Sequence, residues 1–501
     1  MRIVKASSPS TAANTFSLIK VTWDDYSYWT SFTLYYCNAK GESTRIGELK
    51  LARLEQETLK HTFEYLDDSF ETLGPAFFSL GQNPEYYENL QAIGGRAWTD
   101  FLKGIRDIAF TPALIEQCEH ERWLGDSLTR YLSKKTIEEQ FARIIEAGEK
   151  LEKYAFRFHD HLADYRLDFT ITPHSKPPSN LHVLTGRNGS GKTTTLKKIA
   201  KAILRAGDQT YALETLDGAP VRENFFSKLI YSSFSVFDNP LEEIDFSLAD
   251  RIIDSTYIGL HEPISVSDNA PPLFSVKNKR TLAAEFSLAV TDCVLSSEDK
   301  KGLWCAVIDT LALDLNFSDQ RVSRLLSHVE KTSLEQSSYD LFMTLSSGHA
   351  AVLYAVTKLV QLTEEKTVII FDEPENHLHP PLLSAFIRAI SELLTKKNGM
   401  AIISTHSPVV LQEVPASCVW KIIKRGSDTL AERPTLETFA ENVGTLTHEV
   451  FGLEVHKSGF LALLKHEAET VRSYQAIMAN YNREIGMEGR AILRSLLSEF
   501  D

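Results

Sequence analysis

Cysteine is sparse. Five residues, Cys37, Cys118, Cys293, Cys305 and Cys418, are scattered through 501 positions, and no two stand as CxxC. An odd, dispersed set excludes a disulfide framework and a zinc ribbon and fits a reducing compartment, so a cytoplasmic location is expected. Long apolar runs are missing too. Thr367–Phe371 is typical of the longest, far short of the ~20 residues that cross a bilayer, so no membrane partner is expected. The opening MRIVKASSPSTAANTF has no apolar stretch of signal-peptide type. Positive charge is short: the formal net charge of −14 excludes a broadly basic nucleic-acid coat, although a local basic groove would not register in a net value. Heptads and internal repeats are absent, which excludes a long coiled-coil arm and a solenoid.

What remains is a soluble-type composition, 43% hydrophobic and 24% charged, on a chain long enough for two or three structural units. The segments Phe16–Trp23, Tyr28–Tyr36 and Arg45–Leu51 are rich in β-branched and aromatic residues, with a turn at Asn38–Gly41, and predict a hairpin or three-stranded meander. From Leu51 to about Phe158 the pattern becomes helical. Ile137, Phe141, Ile144, Ile145, Gly148 and Leu151 share one face behind the capping-box signature Thr136-Ile-Glu-Glu139, and core packing is the reading of that stripe. Residues 240–276, mixed in Pro, Asp and Ser, read as a surface insertion. Helical patterns return at 280–328 and at 458–501. The expected division is a β part at 1–51, a helical insertion at 52–160, a phosphate-loop lobe at 161–240, a helical lobe at 241–345, a catalytic lobe at 346–457 and a helical tail at 458–501.

The strongest chemical signal is Gly186-Arg-Asn-Gly-Ser-Gly-Lys-Thr193, a full match to GxxxxGK[ST] between an apolar run and a helical one. Glycines let successive N–H groups of Gly186, Asn188, Gly189, Ser190 and Gly191 point at a phosphate, and the helix through Thr194 adds its positive end. Lys192 is placed to reach the β- and γ-phosphates of ATP, and the Thr193 hydroxyl to ligate Mg²⁺. A second apolar strand, Thr367–Phe371, ends in Asp372-Glu373. Asp372 is the second candidate for the Mg²⁺ shell and Glu373 the candidate that orients or deprotonates water.

Three further segments resemble motifs of ABC ATPases. Leu345-Ser-Ser-Gly-His349 resembles the signature usually written LSGGQ, with Ser346, Ser347 and Gly348 opening a helix; in that family the phosphate it meets is held by a second subunit. Ala401-Ile-Ile-Ser-Thr-His406 looks like the strand carrying the switch histidine, here His406. Glu375–Pro381 is similar to the D-loop, so His377 and His379 read as a subunit-contact loop rather than a zinc pair. The glutamine usual between the phosphate loop and the signature is missing from Tyr231–Asn239, where Asp238 or a serine is the candidate replacement.

Together these motifs imply an α/β fold of the ABC-type ATPase head: a mixed sheet with flanking helices, an N-terminal β-hairpin, helical insertions and a helical tail. The chain resembles AAA-like ABC ATPases of bacterial DNA-repair and phage-defence systems. Ser17–Tyr26, Ser233–Asp238 and Glu441–Thr445 with Val450–Val455 make it similar to the ATPase subunit of the Septu antiphage system. That resemblance implies a head-to-tail homodimer or higher assembly, and an HNH nuclease as partner. Relatives of the subunit stand beside retrons, which adds a reverse transcriptase and its msDNA to the candidate partners. Three other roles compete. An overcoming-lysogenization-type ATPase–nuclease needs a DxD pair after His406, and there is none. An SMC- or RecF-like DNA-repair ATPase needs arms or a basic stripe facing nucleic acid, for which Lys277–Arg280 and Lys421–Arg425 are the best clusters. A transporter subunit fits poorly with the long segment before the phosphate loop.

Overall fold

Alternation along the N-terminal segments does produce a sheet, and a larger one than a meander. In the computed structural model the strands are β1 (Arg2–Ala6), β2 (Thr15–Lys20), β3 (Ser31–Cys37), β4 (Ser43–Arg53), β5 (Ser69–Phe70) and β6 (Phe77–Gly81), in the order β5-β1-β2-β3-β4-β6. The structure describes residues 2–498 except 147, 149–150, 206–209, 223–224, 237, 245, 247–252, 265–272, 312–320, 329, 377, 427 and 452–458. The expected meander corresponds to β2–β4, and β1 joins it by pairing parallel to β2. Phe16, Leu18, Phe32, Leu34, Leu49 and Leu51 are buried in a core closed by Tyr86, Phe101, Trp123 and Phe141.

The expectation of a helical insertion over 52–160 is corrected: the end of β4, then β5 and β6, and finally β7 (Tyr154–Asp160) lie within it. The apolar stripe is only partly realised. A π-helical turn, Thr136–Phe141, runs into the short helix Ala142–Ile145, and the stripe ends there, before Gly148 and Leu151. The cap is Ser133, whose Oγ accepts the Thr136 N–H at 3.1 Å; the Thr136 hydroxyl instead donates to Glu364 Oε2 at 2.9 Å.

Downstream, β7 forms a three-stranded antiparallel sheet with β8 (Tyr165–Ile171) and β10 (Tyr211–Glu214). The central sheet contains β9 (Leu181–Thr185), β11 (Lys228–Ser233), β12 (Asp254–Gly259), β15 (Thr367–Asp372), β16 (Met400–Thr405), β17 (Val419–Arg425) and β18 (Asp428–Glu432), in the order β12-β11-β15-β16-β9-β17-β18, all parallel except the last pair. Parallel strands need cover on both faces. Val368, Ile370 and Ile402 pack on Leu196 and Ile199 of the helix Lys192–Leu204. Ile369, Phe371 and Ile403 pack on the other side against Leu353 and Phe386, from helices Ser347–Leu362 and Pro380–Lys397. The expected surface insertion at 240–276 is likewise corrected, because β12 pairs with β11 along its whole length, and β13 (His261–Ile264) and β14 (Leu273–Val276) form a hairpin.

Helices Lys279–Leu295, Glu298–Leu311 and Lys331–Thr344 make the helical lobe, and three helices between Gly459 and Ser498 close the chain around a small core of Leu464, Ala468, Ile477 and Leu493. The N-terminal unit touches both the helical lobe and the central sheet. Arg45 pairs with Asp299 at 2.9 Å, the Glu298 N–H donates to Glu48 Oε1 at 2.6 Å, and Arg143 pairs with Glu365 at 2.7 Å. A cleft of about 630 Å³ lined by Glu48, Lys50, Tyr131, Lys300 and Glu364 runs along this seam. No helix among the described residues is long and apolar enough to cross a membrane.

Candidate nucleotide site at the carboxyl ends of the central strands

Strand β9 ends at Thr185 and the chain turns at once into the glycine loop. Gly186 has φ +147°, Gly189 +73° and Gly191 +96°, a region open to glycine and closed to most side chains. At Gly186 space is lacking as well: a Cβ would stand 2.3 Å from the Ile422 carbonyl oxygen of β17. Asn188 and Thr194 are exposed around the loop, while Ser190 is buried with its hydroxyl lacking a hydrogen-bond partner.

Lys192 opens the helix and bends back under the loop. Its Nζ donates to Gly186 O at 3.2 Å and Arg187 O at 3.3 Å and lies 2.8 Å from His406 Nε2. The residue is 4% exposed, yet among the described residues no carboxylate lies within ion-pair distance of it. Burial lowers its pKa, and the more distant charges of Glu373, Glu375 and Asp372 oppose that shift. A buried ammonium without a counter-ion is costly, and an anion entering the loop would supply one.

Next in sequence, the Thr193 hydroxyl donates to Asp372 Oδ1 at 3.0 Å, and the Ser404 hydroxyl donates to the same oxygen. Burial pushes the Asp372 carboxyl up to about 6. A hydroxyl and a carboxylate side by side are hard oxygen donors that suit Mg²⁺. Glu373 follows in the left-handed region at φ +48°, held by its N–H, which donates to both the carbonyl and the hydroxyl of Ser404 at 3.1 Å. That turn swings its carboxylate towards His406: Oε1 is 3.1 Å from Nε2, and this contact lowers the Glu373 pKa. The imidazole therefore stands between a carboxylate and an ammonium. With its proton on Nε2 it donates to Glu373; with the proton on Nδ1 it accepts from Lys192.

The structure thus brings Gly186–Thr193, Asp372, Glu373 and His406 to one place. It does not bring Ser346, Ser347 and Gly348 there: among the described residues none of them hydrogen-bonds to loop 186–194. Ser346 caps the helix Ser347–Leu362, its Oγ 2.6 Å from His349 Nδ1, with Ser346 and Ser347 exposed and Gly348 buried. Asp238, a candidate for the missing glutamine, pairs instead with Lys197 at 2.8 Å. His379 caps the helix Pro380–Lys397 through Nδ1, and His377 lies outside the described residues. The basic clusters are committed in part: Lys277 pairs with Glu285, Lys279 caps the carbonyls of Met343 and Leu345, and Lys421 pairs with Glu449, while Arg280, Lys424 and Arg425 are exposed.

Two groups in the site escaped the sequence reading. Ser404 matters because register sets it opposite Asp372. Glu375 accepts both the Thr405 hydroxyl at 2.8 Å and the His406 N–H at 2.6 Å. Neither has a spacing signal. Elsewhere, His159, His161 and Glu214 converge on the antiparallel sheet, but the two rings lie tilted at 43° with centroids 3.8 Å apart. Two imidazoles sharing one tetrahedral ion at ~2.1 Å bonds stand about 5 Å apart.

A glycine loop opening a helix, a neighbouring strand ending Asp-Glu and a third ending in histidine, on a parallel sheet covered by helices, form a candidate nucleotide site on an α/β fold of the ATPase-head kind. Residues 297–412 match the family model described as "AAA domain, putative AbiEii toxin, Type IV TA system"; the match takes in the signature, Asp372-Glu373 and His406 and begins beyond the phosphate loop. Over 505 aligned residues the chain is 37% identical to protein ea59 of Escherichia phage lambda, covering 96% of this chain and 94% of that one. The chain belongs to the ea59 family. Solved structures with some likeness include an ATP-binding cassette of an ABC transporter, 14% identical over 60% of this chain and 97% of that one at a TM-score of 0.30. Another is an Smc head bound to the C-winged helix domain of ScpA, 11% identical over 57% and 98% at a TM-score of 0.27. Scores this low carry nothing about activity.

Proposed function

We propose that the chain is a nucleotide-driven switch that binds ATP and Mg²⁺ at Gly186–Thr194 and is completed by a second copy of itself. The observation that supports this most is Lys192, a buried ammonium beneath a glycine loop with no carboxylate partner among the described residues. In this reading the N–H groups of Asn188, Gly189, Ser190 and Gly191 cradle the β-phosphate and Lys192 reaches the β- and γ-phosphates. Thr193 and Asp372 hold Mg²⁺, which neutralises charge on the phosphates. Glu373, kept as a carboxylate by its contact with His406, takes the proton of the attacking water. His406 changes partner between Glu373 and Lys192 and so reports whether a γ-phosphate is present. Ser346, Ser347 and Gly348, at an exposed helix N-terminus, meet the phosphate of the other copy in a head-to-tail homodimer.

The effector of the switch is read as a separate HNH-type nuclease in an antiphage system of the Septu kind. Support comes from the resemblance of the opening and 233–238 segments; the third segment extends into 452–455, outside the described residues. The matched model's description as a toxin of a type IV system, and a relative carried by a phage, fit a part in conflict between phage and host. A retron, with its reverse transcriptase and msDNA, is the variant of this arrangement. The described tail is helical and offers no strand for a DxD site, which disfavours a built-in nuclease, and Lys277, Lys279 and Lys421 of the basic clusters are taken by internal contacts, which weakens a DNA clamp.

Glu373→Gln should retain ATP and shift the protein to a dimer with MgATP, read by light scattering and nucleotide retention. An unchanged mass and fast release would overturn the two-copy reading. Robust DNA cutting by the chain alone would overturn the separate nuclease.

A further inference from the structure

Glu375 lies two residues beyond Glu373, in the loop that leaves β15 and at the head of the segment likened above to a D-loop, and no role in the reaction has been given to it so far. One of its oxygens, Oε1, receives two hydrogen bonds from the end of β16, the Thr405 hydroxyl at 2.8 Å and the His406 N–H at 2.6 Å. The second of these holds the main chain at the point where His406 leaves the sheet. From there the imidazole reaches Lys192 Nζ at 2.8 Å and Glu373 Oε1 at 3.1 Å. The other oxygen, Oε2, is buried with no hydrogen-bond partner. In a half-buried carboxylate, an oxygen that is shut off from solvent and left unpaired costs stability rather than adding to it.

We infer that Glu375 is a positioning residue for hydrolysis: it fixes the His406 main chain, and with it the ring between Lys192 and Glu373, and so couples loop 374–376 to the γ-phosphate sensor. This rests on the ATP site described above. A displacement of the loop passes to His406 through a single 2.6 Å bond, and catalytic geometry is steep, a shift of about 1 Å costing about 100-fold. Because Oε1 acts as an acceptor, an amide oxygen serves in its place, which separates placement from charge.

The test uses the full chain, with phosphate release for turnover and a fluorescent ATP analogue for binding. Glu375→Ala should lower kcat about 100-fold and leave nucleotide affinity within about threefold. Glu375→Gln should keep kcat within about threefold, and Thr405→Val, which removes the other bond and spares the His406 N–H, should do the same. Because Glu375 acts through His406, the double variant Glu375→Ala/His406→Ala should be no slower than the slower single variant. Independently of turnover, the His406 ring resonances of the nucleotide-free protein should move in Glu375→Ala and stay in Glu375→Gln. If Glu375→Ala does not fold, the Gln variant and the ring resonances decide. The inference is overturned if Ala is tolerated, if Gln loses as much as Ala, if the two losses multiply, or if the ring resonances are indifferent. The site itself fails differently, by Lys192→Ala leaving nucleotide binding intact.

Discussion

Lys50 in the N-terminal unit and Lys192 in the phosphate loop are almost equally buried, at 5% and 4% exposed, and burial lowers the pKa of both. Their surroundings differ. Lys50 Nζ stands 2.6 Å from Asp25 Oδ2 and donates to Ser127 O at 2.9 Å, while Asp25 also takes Arg130 at 2.9 Å, the Trp23 indole at 2.9 Å and the Ser127 hydroxyl at 3.1 Å. Every charge in that cluster is answered within the fold. Lys192 has carbonyls and an imidazole around it, and beside it the Ser190 hydroxyl and Glu375 Oε2 go unanswered. Fully satisfied buried polar groups hold a structure together; on the reading proposed above, the charge of Lys192 is met instead by the phosphates of a nucleotide that arrives from outside. On that reading, one residue type at one depth serves two ends in the same chain.

The sharpest way to break this comparison is to remove each lysine system in turn. Lys192→Ala should abolish ATP turnover, a loss of about 1,000-fold or more for a phosphate-positioning charge, while the unfolding midpoint in denaturant holds or rises because an unpaired buried charge is gone. A midpoint that falls steeply would make Lys192 structural after all. Asp25→Ala should do the reverse, destabilising by about 3–5 kcal/mol because Lys50 is stranded, with turnover per folded molecule unchanged; tolerance in chemical denaturation would remove the contrast. A smaller effect concerns pH. Asp372 is held at about 6 and Asp107, buried under Tyr87 in the N-terminal unit, at about 7. Both exceed the unfolded value near 4, so the native state binds the extra protons and stability falls as pH rises from about 4 through 6 to 7. Asp372→Asn should remove the lower part of that slope, and so should MgATP, since a cation at Asp372 favours the carboxylate. Neither should touch the Asp107 part, and thermal melts across this pH range check both.

The phosphate loop was legible because its signal is contiguous: eight residues fix turn, charge and hydroxyl with no help from the rest of the chain. Asp372, Glu373 and His406 were legible because each ends an apolar run, and a fully buried parallel strand has nowhere else to put polar groups. What could not be read depends on register or on distant partners. Ser404 and Glu375 gain their parts from strand β16 lying beside β15. Asp25, Lys50 of β4 and Arg130 meet from separate segments of the N-terminal unit. Strands β1 and β12 were missed for another reason: β1 is short and only partly buried, and the polar first half of β12 does not alternate. The helical reading of 52–160 failed where aromatic-rich stretches such as Phe77–Gly81 pair as strands with β4.

The strand order has a consequence for how the protein is made. Strand β9, which carries the phosphate loop, has as sheet neighbours β16 and β17, which begin at Met400 and Val419. At synthesis rates of about 5–20 residues per second, the loop leaves the ribosome some 10–40 s before either neighbour exists. The N-terminal sheet, whose strands are complete by Gly81, has no such wait. The nascent chain therefore carries an unformed phosphate loop behind a finished first sheet for nearly half of its synthesis, and the candidate site is assembled only once β17 has been made.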